Sequence, residues 1–348
     1  MRTQLTLFFT SLLALTSGAN ADSDNFEVVP LFASNDLMNV TITAPFEEIM
    51  RVRSNEEELG GTLQYRDAEA GEVTLEINIR SRGRFRRQKD ICNFTPLRLN
   101  FKKTKGTAFA KLDKQKLVTH CRTKSDKYEQ AVLKEYLAYR ILNTLTDWSF
   151  RVRLLRVKYV ESTTGEEFTS SYAFLIEHRD QLAARIGMKV DSSERTTVGA
   201  LDGTHTNLTS LYQYMIGNTD FSPVKGPPGE PCCHNYVLMG NNEGTTISVP
   251  YDFDVSGIVD PPHAVPNPRF KLASVRQRLY RGRCANSNQL PTTFATFNEK
   301  RNDIYNLVTT QQDLSKHEVK RTTKFLDDFY KIINSKRQVS FRIEKACI

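Results

Sequence analysis

Through much of the first half of the chain, apolar and polar residues alternate with the period of two that marks a half-buried strand. The segments Val40-Thr41-Ile42-Thr43, Thr62-Leu63-Gln64-Tyr65 and Val73 to Ile79 read as strands, as do Pro96 to Phe101 and Gln115 to His120. Gly-containing or acidic turns separate the first three. From Asp126 to Thr146 the period changes, and positions 128, 132, 135, 139 and 142 fall on one helical face. Tyr128, Val132, Tyr139 and Leu142 form that face together with Glu135. A carboxylate inside an apolar stripe is costly unless paired, so Glu135 demands a cation. Strands over 150–160 and 172–177 and a short helix over 180–186 come next. The remainder reads as helices over 208–216, 301–308 and 317–333, with apolar runs at 236–239 and 249–258 and a Pro/Gly-rich loop at 218–231. Strands first, one helix among them, then a mainly helical half predict an α+β protein in two lobes, 22–178 and 179–348.

Residues 1–21 have a different character. Arg2, the apolar run from Leu5 to Leu15 and Ala19-Asn20-Ala21 make the charged, apolar and small-residue regions of a secretory signal, with cleavage expected after Ala21. The run is shorter than the roughly 20 apolar residues a bilayer span needs, and no later stretch is long and apolar enough. A secreted or periplasmic location follows. It agrees with an even set of six cysteines, Cys92, Cys121, Cys232, Cys233, Cys284 and Cys347, which suits disulfides of undetermined connectivity. A zinc site at Cys232, Cys233 and His234 is disfavoured, because adjacent ligands lack the spacer of a zinc knuckle.

The chain carries 48 basic and 40 acidic residues, and the excess is locally concentrated. Arg80, Arg82, Arg84 and Arg86 alternate with Ile79, Ser81, Gly83 and Phe85. On a strand that spacing puts the four guanidinium groups on one face, where they repel unless an anion lies between them.

Three segments of the second half hold the residues of a metal-assisted phosphoryl transfer: Gly217-Asn218-Thr219-Asp220, His234-Asn235 and Tyr251-Asp252-Phe253-Asp254-Val255. An extended backbone would bury Tyr251, Phe253 and Val255 and turn both carboxylates to the other side. Two carboxylates and an amide oxygen form a hard, all-oxygen set suited to Mg²⁺ or Mn²⁺.

With these motifs in this order, the chain resembles the spore-coat-protein-H-like (CotH-like) secreted atypical kinases and, more distantly, the HipA toxin kinases. The resemblance spans roughly residues 75–260 and implies a bilobal protein-kinase-like fold with an antiparallel-sheet N-lobe and a mainly helical C-lobe. It implies that Lys116 contacts the phosphates of ATP or another nucleotide and pairs with Glu135. The turn carrying Arg82 and Arg84 would cover those phosphates, and Glu177 would fall at the hinge. Asp220 would act as catalytic base or orient the acceptor hydroxyl, while Asn235, Asp252 and Asp254 would hold the metal. The departures are clear: fifteen positions separate Asp220 from Asn235, against five in the ordinary catalytic loop, and the Gly-rich phosphate loop is missing.

The expected activity is phosphate transfer from a nucleotide to a hydroxyl on a secreted protein or small molecule. The competing expectation is an inactive kinase-like protein that binds an acidic partner or polyanion through its arginine strand. A secreted nucleic-acid enzyme, suggested by the basic pI, is disfavoured because Phe85 alone interrupts the basic run with an aromatic ring.

Overall fold

The computed structural model describes residues 29–348; the leader expected at 1–21 lies outside them. Ten strands and eight α-helices are formed in that span. The first part runs β1 (Met38–Ala44), α1 (Phe46–Val52), β2 (Leu59–Asp67), β3 (Gly71–Ser81), β4 (Leu97–Phe101), β5 (Lys114–Thr119), α2 (Asp126–Leu145), β6 (Val152–Glu161) and β7 (Glu167–Ile176). The strands predicted from alternation are all present. Their arrangement differs from the expectation.

The seven strands close into a barrel in the order β1-β2-β3-β4-β5-β7-β6. Closure comes from β6 lying parallel to β1, in register from Met38 opposite Leu155 to Ala44 opposite Glu161. The other pairings are antiparallel, so the sheet is mixed. This corrects the bilobal kinase-like fold with an antiparallel-sheet N-lobe. Closure leaves no free edge in the sheet, and each strand turns apolar residues inward. Ile42, Leu63, Ile77, Ile79, Leu99, Leu117, Val157, Tyr159 and Leu175 pack there with Phe46 and Phe94.

A second core lies outside the barrel. It joins the outward residues Val118, Val152, Leu154, Phe174 and Ile176 to α2 and to the helices of the second half. Consequently α2 is buried over most of its circumference, with Leu133, Glu135, Leu137, Ala138 and Tyr139 all shielded. The second half contributes α3 (Arg179–Arg185), β8 (Lys189–Val190), α4 (Gly203–Ile216), β9 (Tyr236–Gly240), β10 (Thr246–Pro250), α5 (Leu290–Glu299), α6 (Arg301–Thr309), α7 (Lys316–Ile333) and α8 (Lys336–Arg342). Strands β8, β9 and β10 form a small antiparallel sheet with β9 central.

All six cysteines are paired, as Cys92–Cys121, Cys232–Cys233 and Cys284–Cys347. The first and third close loops of 29 and 63 positions, each contributing roughly 3–4 kcal/mol on the chain-entropy view. The pairing of Cys232 with Cys233 removes both thiols from any zinc site. No described helix is long and apolar enough to cross a membrane. The disulfides fit an extracellular protein.

Candidate functional site

The site is assembled where α2, the mouth of the barrel and two loops of the second half meet. Helix α4 starts at Asp202, whose carboxylate accepts the N–H of His205 at 2.7 Å, and ends at Gly217 with φ +68°. A side chain there would be strained by that left-handed backbone and would sit 3.0 Å from Phe325 and 3.3 Å from the backbone of Gly257. The close approach lets Gly257 N–H donate to Gly217 C=O at 3.1 Å and Ile258 N–H to Ile216 C=O at 2.9 Å. The Asn218–Asp220 turn is thereby tied to the loop carrying Asp252 and Asp254. Asn218 shapes that turn by accepting the Asp220 N–H at 3.0 Å.

Asp220 is held from both sides. His234 Nε2 lies 2.9 Å from one carboxylate oxygen. Asn235 donates its amide to the other at 3.1 Å and to the Asp220 carbonyl at 2.7 Å. The hydrogen bond with His234 is the main cause that holds the Asp220 carboxyl below its usual range and raises the imidazole. Both side chains stay about two-fifths exposed, so the pair is open to an incoming molecule. The segment between them, 221–233, loops out as the spacing demands. Ser222 N–H donates to His234 C=O at 2.9 Å and closes its base. With its amide N–H groups committed to Asp220, Asn235 has its side-chain oxygen left as an acceptor.

Strand β10 ends at Pro250, and the extended continuation expected through 251–255 does not form. Asp252 instead adopts φ +63° and Asn235 φ +55°, conformations uncommon for side-chain-bearing residues and concentrated at functional sites. Phe253 is buried against Tyr139 and Tyr212. The Asp252 N–H donates to the Tyr139 hydroxyl at 2.8 Å. Helix α2 therefore brings Glu135 and, one turn later, Tyr139 to the same loop.

Around this loop sits an acidic group faced by cations. Asp254 is pushed up to about 7, by burial first and then by Asp252, while Arg86 and Arg82 draw it back. Burial, then Asp254 and Asp252, also raise Glu135 well above its ordinary value. Arg86 and Arg82 offset that rise only in part, and among the described residues Glu135 makes no ion pair, with Lys116 or with any other cation. Arg86 Nη1 lies 3.7 Å from Asp254.

Lys116 belongs to a row running across the barrel wall. The register sets Arg80 opposite Arg98 and Arg98 opposite Lys116, on β3, β4 and β5. Like charges directly opposite each other destabilise a sheet unless compensated. Arg80 lies 3.7 Å from Glu58. The Lys116 ammonium, by contrast, sits 4.4 Å from the centre of the Tyr251 ring and has no ion-pair partner among the described residues. Burial, then the field of Arg82, lowers it to about 8, opposed by Asp252. Arg98 and Lys116 help line a cavity of about 300 Å³ whose other walls include Phe150, Ile176, Arg179, Val237 and Tyr251.

The arginine alternation does not continue as a strand, because β3 stops at Ser81. Arg80 lies on the barrel wall, Arg82 and Arg86 turn towards the acidic group, and Arg84 points out to Glu230, 2.5 Å away. Hence no single exposed arginine face exists, and Arg84 stands apart from the phosphate-covering position expected for it. Glu177 also differs: both of its oxygens are taken by Arg185 at 2.9 Å, and one accepts the Arg151 N–H at 3.0 Å. Its side chain is a structural anchor beside the cavity. Arg179 carried no sequence signal, and Tyr251, Phe150 and Val237 were readable only as apolar positions; the fold brings all four to the cavity beside Lys116.

Among the described residues, no three His, Cys, Asp or Glu side chains are grouped to hold a metal by themselves. Asp252, Asp254 and the Asn235 amide oxygen nevertheless fit a hard divalent cation that arrives with phosphate oxygens, since magnesium is commonly bound through one or two carboxylates plus substrate. Burial, then the charge of Asp252, raises the Asp254 carboxyl, and a cation there would favour its ionised form. No protein-family model and no curated protein matches this chain.

Proposed function

We propose that the site transfers phosphate from a nucleotide, ATP being the best candidate, to a hydroxyl acceptor with the help of Mg²⁺ or Mn²⁺. The observation that carries this reading is the convergence on Asp252. Its charge acts on Lys116, Arg82, Glu135, Asp254 and His234 together. Separated in sequence, these groups are brought by the fold into one field, and perturbed titratable groups gathered in this way are characteristic of functional sites.

In this reading Lys116, Arg98 and Arg82 take the oxygens of the phosphate chain, and the unpaired cations lose their mutual repulsion as they do so. Phe150, Ile176, Val237 and Tyr251 offer apolar surface to the base. Asp252, Asp254 and Asn235 would hold a divalent ion, which would neutralise charge on the transferring group. Asp220, kept ionised by His234, orients the acceptor hydroxyl and takes its proton. His234 is the positioning residue, fixing the carboxylate rather than touching the substrate.

The test is calorimetric titration of the mature protein with ATP, with and without Mg²⁺ or Mn²⁺, beside Asp252→Ala. Metal-dependent binding that the variant loses supports the reading. Absence of binding in both proteins overturns it.

A further inference from the structure

The segment that follows the acidic loop folds back over the Asp220 turn. Arg281 Nη1 donates to the carbonyls of Thr219 and Phe221, each at 2.8 Å, and so grips the backbone on both sides of Asp220. Its guanidinium lies 4.6 Å from the Phe221 ring centre and 4.7 Å from that of Phe270. Arg269 lies over Phe270 from the neighbouring position, at 5.9 Å. Arg269 and Arg283 both act on Arg281 as like charges, and the acid in the same field is Asp220 itself. None of these three arginines has an ion-pair partner among the described residues. The Nε of Arg283 is shielded and lacks a hydrogen-bond acceptor. Lys271 is exposed on the same segment, and Lys225 on the looped-out segment, whose carbonyl accepts the His234 N–H.

Solubility alone does not require Arg281, already beside the solvent-facing Asp220, to be flanked by two further like charges. Arg281 grips the backbone on both sides of Asp220, so the charge of the three arginines, without ion-pair partners among the described residues, lies beside the turn that carries this carboxylate. Building on the phosphotransfer reading, we propose that the acceptor is an acidic peptide segment: a hydroxyl-bearing residue flanked by carboxylates. Arg269 and Arg283 receive those flanking carboxylates while the hydroxyl reaches Asp220. Arg281 is needed for the shape of the turn and serves as a fixed part of the wall.

Fluorescence anisotropy with a labelled serine peptide flanked by glutamates, against its glutamine counterpart, tests this without any donor. The acidic peptide is expected to bind about ten-fold or more tightly at low salt, and the preference to shrink as ionic strength rises. Arg269→Glu with Arg283→Glu should abolish the preference, whereas Arg269→Lys should retain most of it. Circular dichroism, with ATP titration where the wild type binds ATP, confirms that the double variant is folded. Equal affinity for the two peptides overturns the proposal, as does a preference that survives the double reversal in folded protein. Heparin binding that equals the acidic peptide and is likewise lost on reversal also overturns it, in favour of a general polyanion. Failure of the nucleotide titration would sink the phosphotransfer reading by a separate measurement.

Discussion

Arg98 and Lys116 stand directly opposite each other on adjacent antiparallel strands, and neither makes an ion pair among the described residues. Each is held in place by the barrel wall, so the repulsion cannot be relieved by swinging a flexible loop away. An anion set across the row would relieve it.

Arg98→Gln should therefore stabilise the ligand-free protein slightly, by about 0.5–1 kcal/mol, the usual scale of a cross-strand pair. Donor affinity should fall at least ten-fold at the same time. Thermal denaturation with and without ATP reads both effects, and a variant that loses stability while keeping affinity contradicts the assignment.

Two groups frame the pH dependence. Asp254 titrates near 7 in the absence of a cation, so below that it is protonated and competes with metal binding. Lys116, lowered to about 8, loses its charge above that value. Metal-dependent donor binding should weaken as pH falls from 7 to 5 and again as it rises above 8. Because an anion favours charged Lys116, binding above pH 8 should take up a proton, visible as a buffer-dependent calorimetric enthalpy.

Asp254→Asn separates stability from function at the same position. The folded carboxyl titrates above its unfolded counterpart. Ionising it therefore burdens the native state as pH rises through this interval, and the burden is fully present above pH 7. Asparagine removes it. The variant should melt a few degrees higher at pH 8, converge with wild type near pH 4 and lose metal-dependent nucleotide binding.

Buried imidazoles set the acid limit. His120, stacked on Phe94 inside the barrel, is lowered to about 3 by burial, and His205 to about 4. Unfolded imidazoles bind protons near 6.5. The unfolded state thus takes up more protons as pH drops through that value, and stability should decline steadily from pH 6.5 to 4. His120→Phe is expected to flatten this slope by about one proton, measured as the pH dependence of urea unfolding. An unchanged slope would show that another group dominates.

Local pattern made the elements of the barrel legible, since half-buried strands such as β3 write their period of two into the sequence. Closure was not legible. The parallel contact of β1 with β6 joins Val40 to Val157, and a pairing across such a distance leaves no trace in either segment's alternation. The same limit explains the arginines: Arg80 to Arg86 keep strand spacing, but the strand ends at Ser81, so the later side chains are directed by a turn. At the site, the identities of Asp220, Asn235, Asp252 and Asp254 were readable as hard-ligand chemistry. Tyr139 was readable only as one more residue of an apolar stripe, although it accepts the Asp252 N–H.

That hydrogen bond and the contact of Asp220 with His234 divide the roles of the site, and variants should divide its kinetics. Asp220→Asn keeps a polar group of similar size beside His234 and Asn235 but removes the negative charge that orients and deprotonates the acceptor. Nucleotide affinity should stay within about two-fold of wild type while turnover falls by 10²–10⁴, the usual scale for a lost general base. His234→Gln can still donate to Asp220, so its loss should be smaller. Its main effect should be to relax the depressed Asp220 carboxyl upward, moving the acidic limb of the turnover profile to higher pH. Equal losses in the two variants, with no such movement, would make His234 the proton acceptor and Asp220 its support, reversing the assignment.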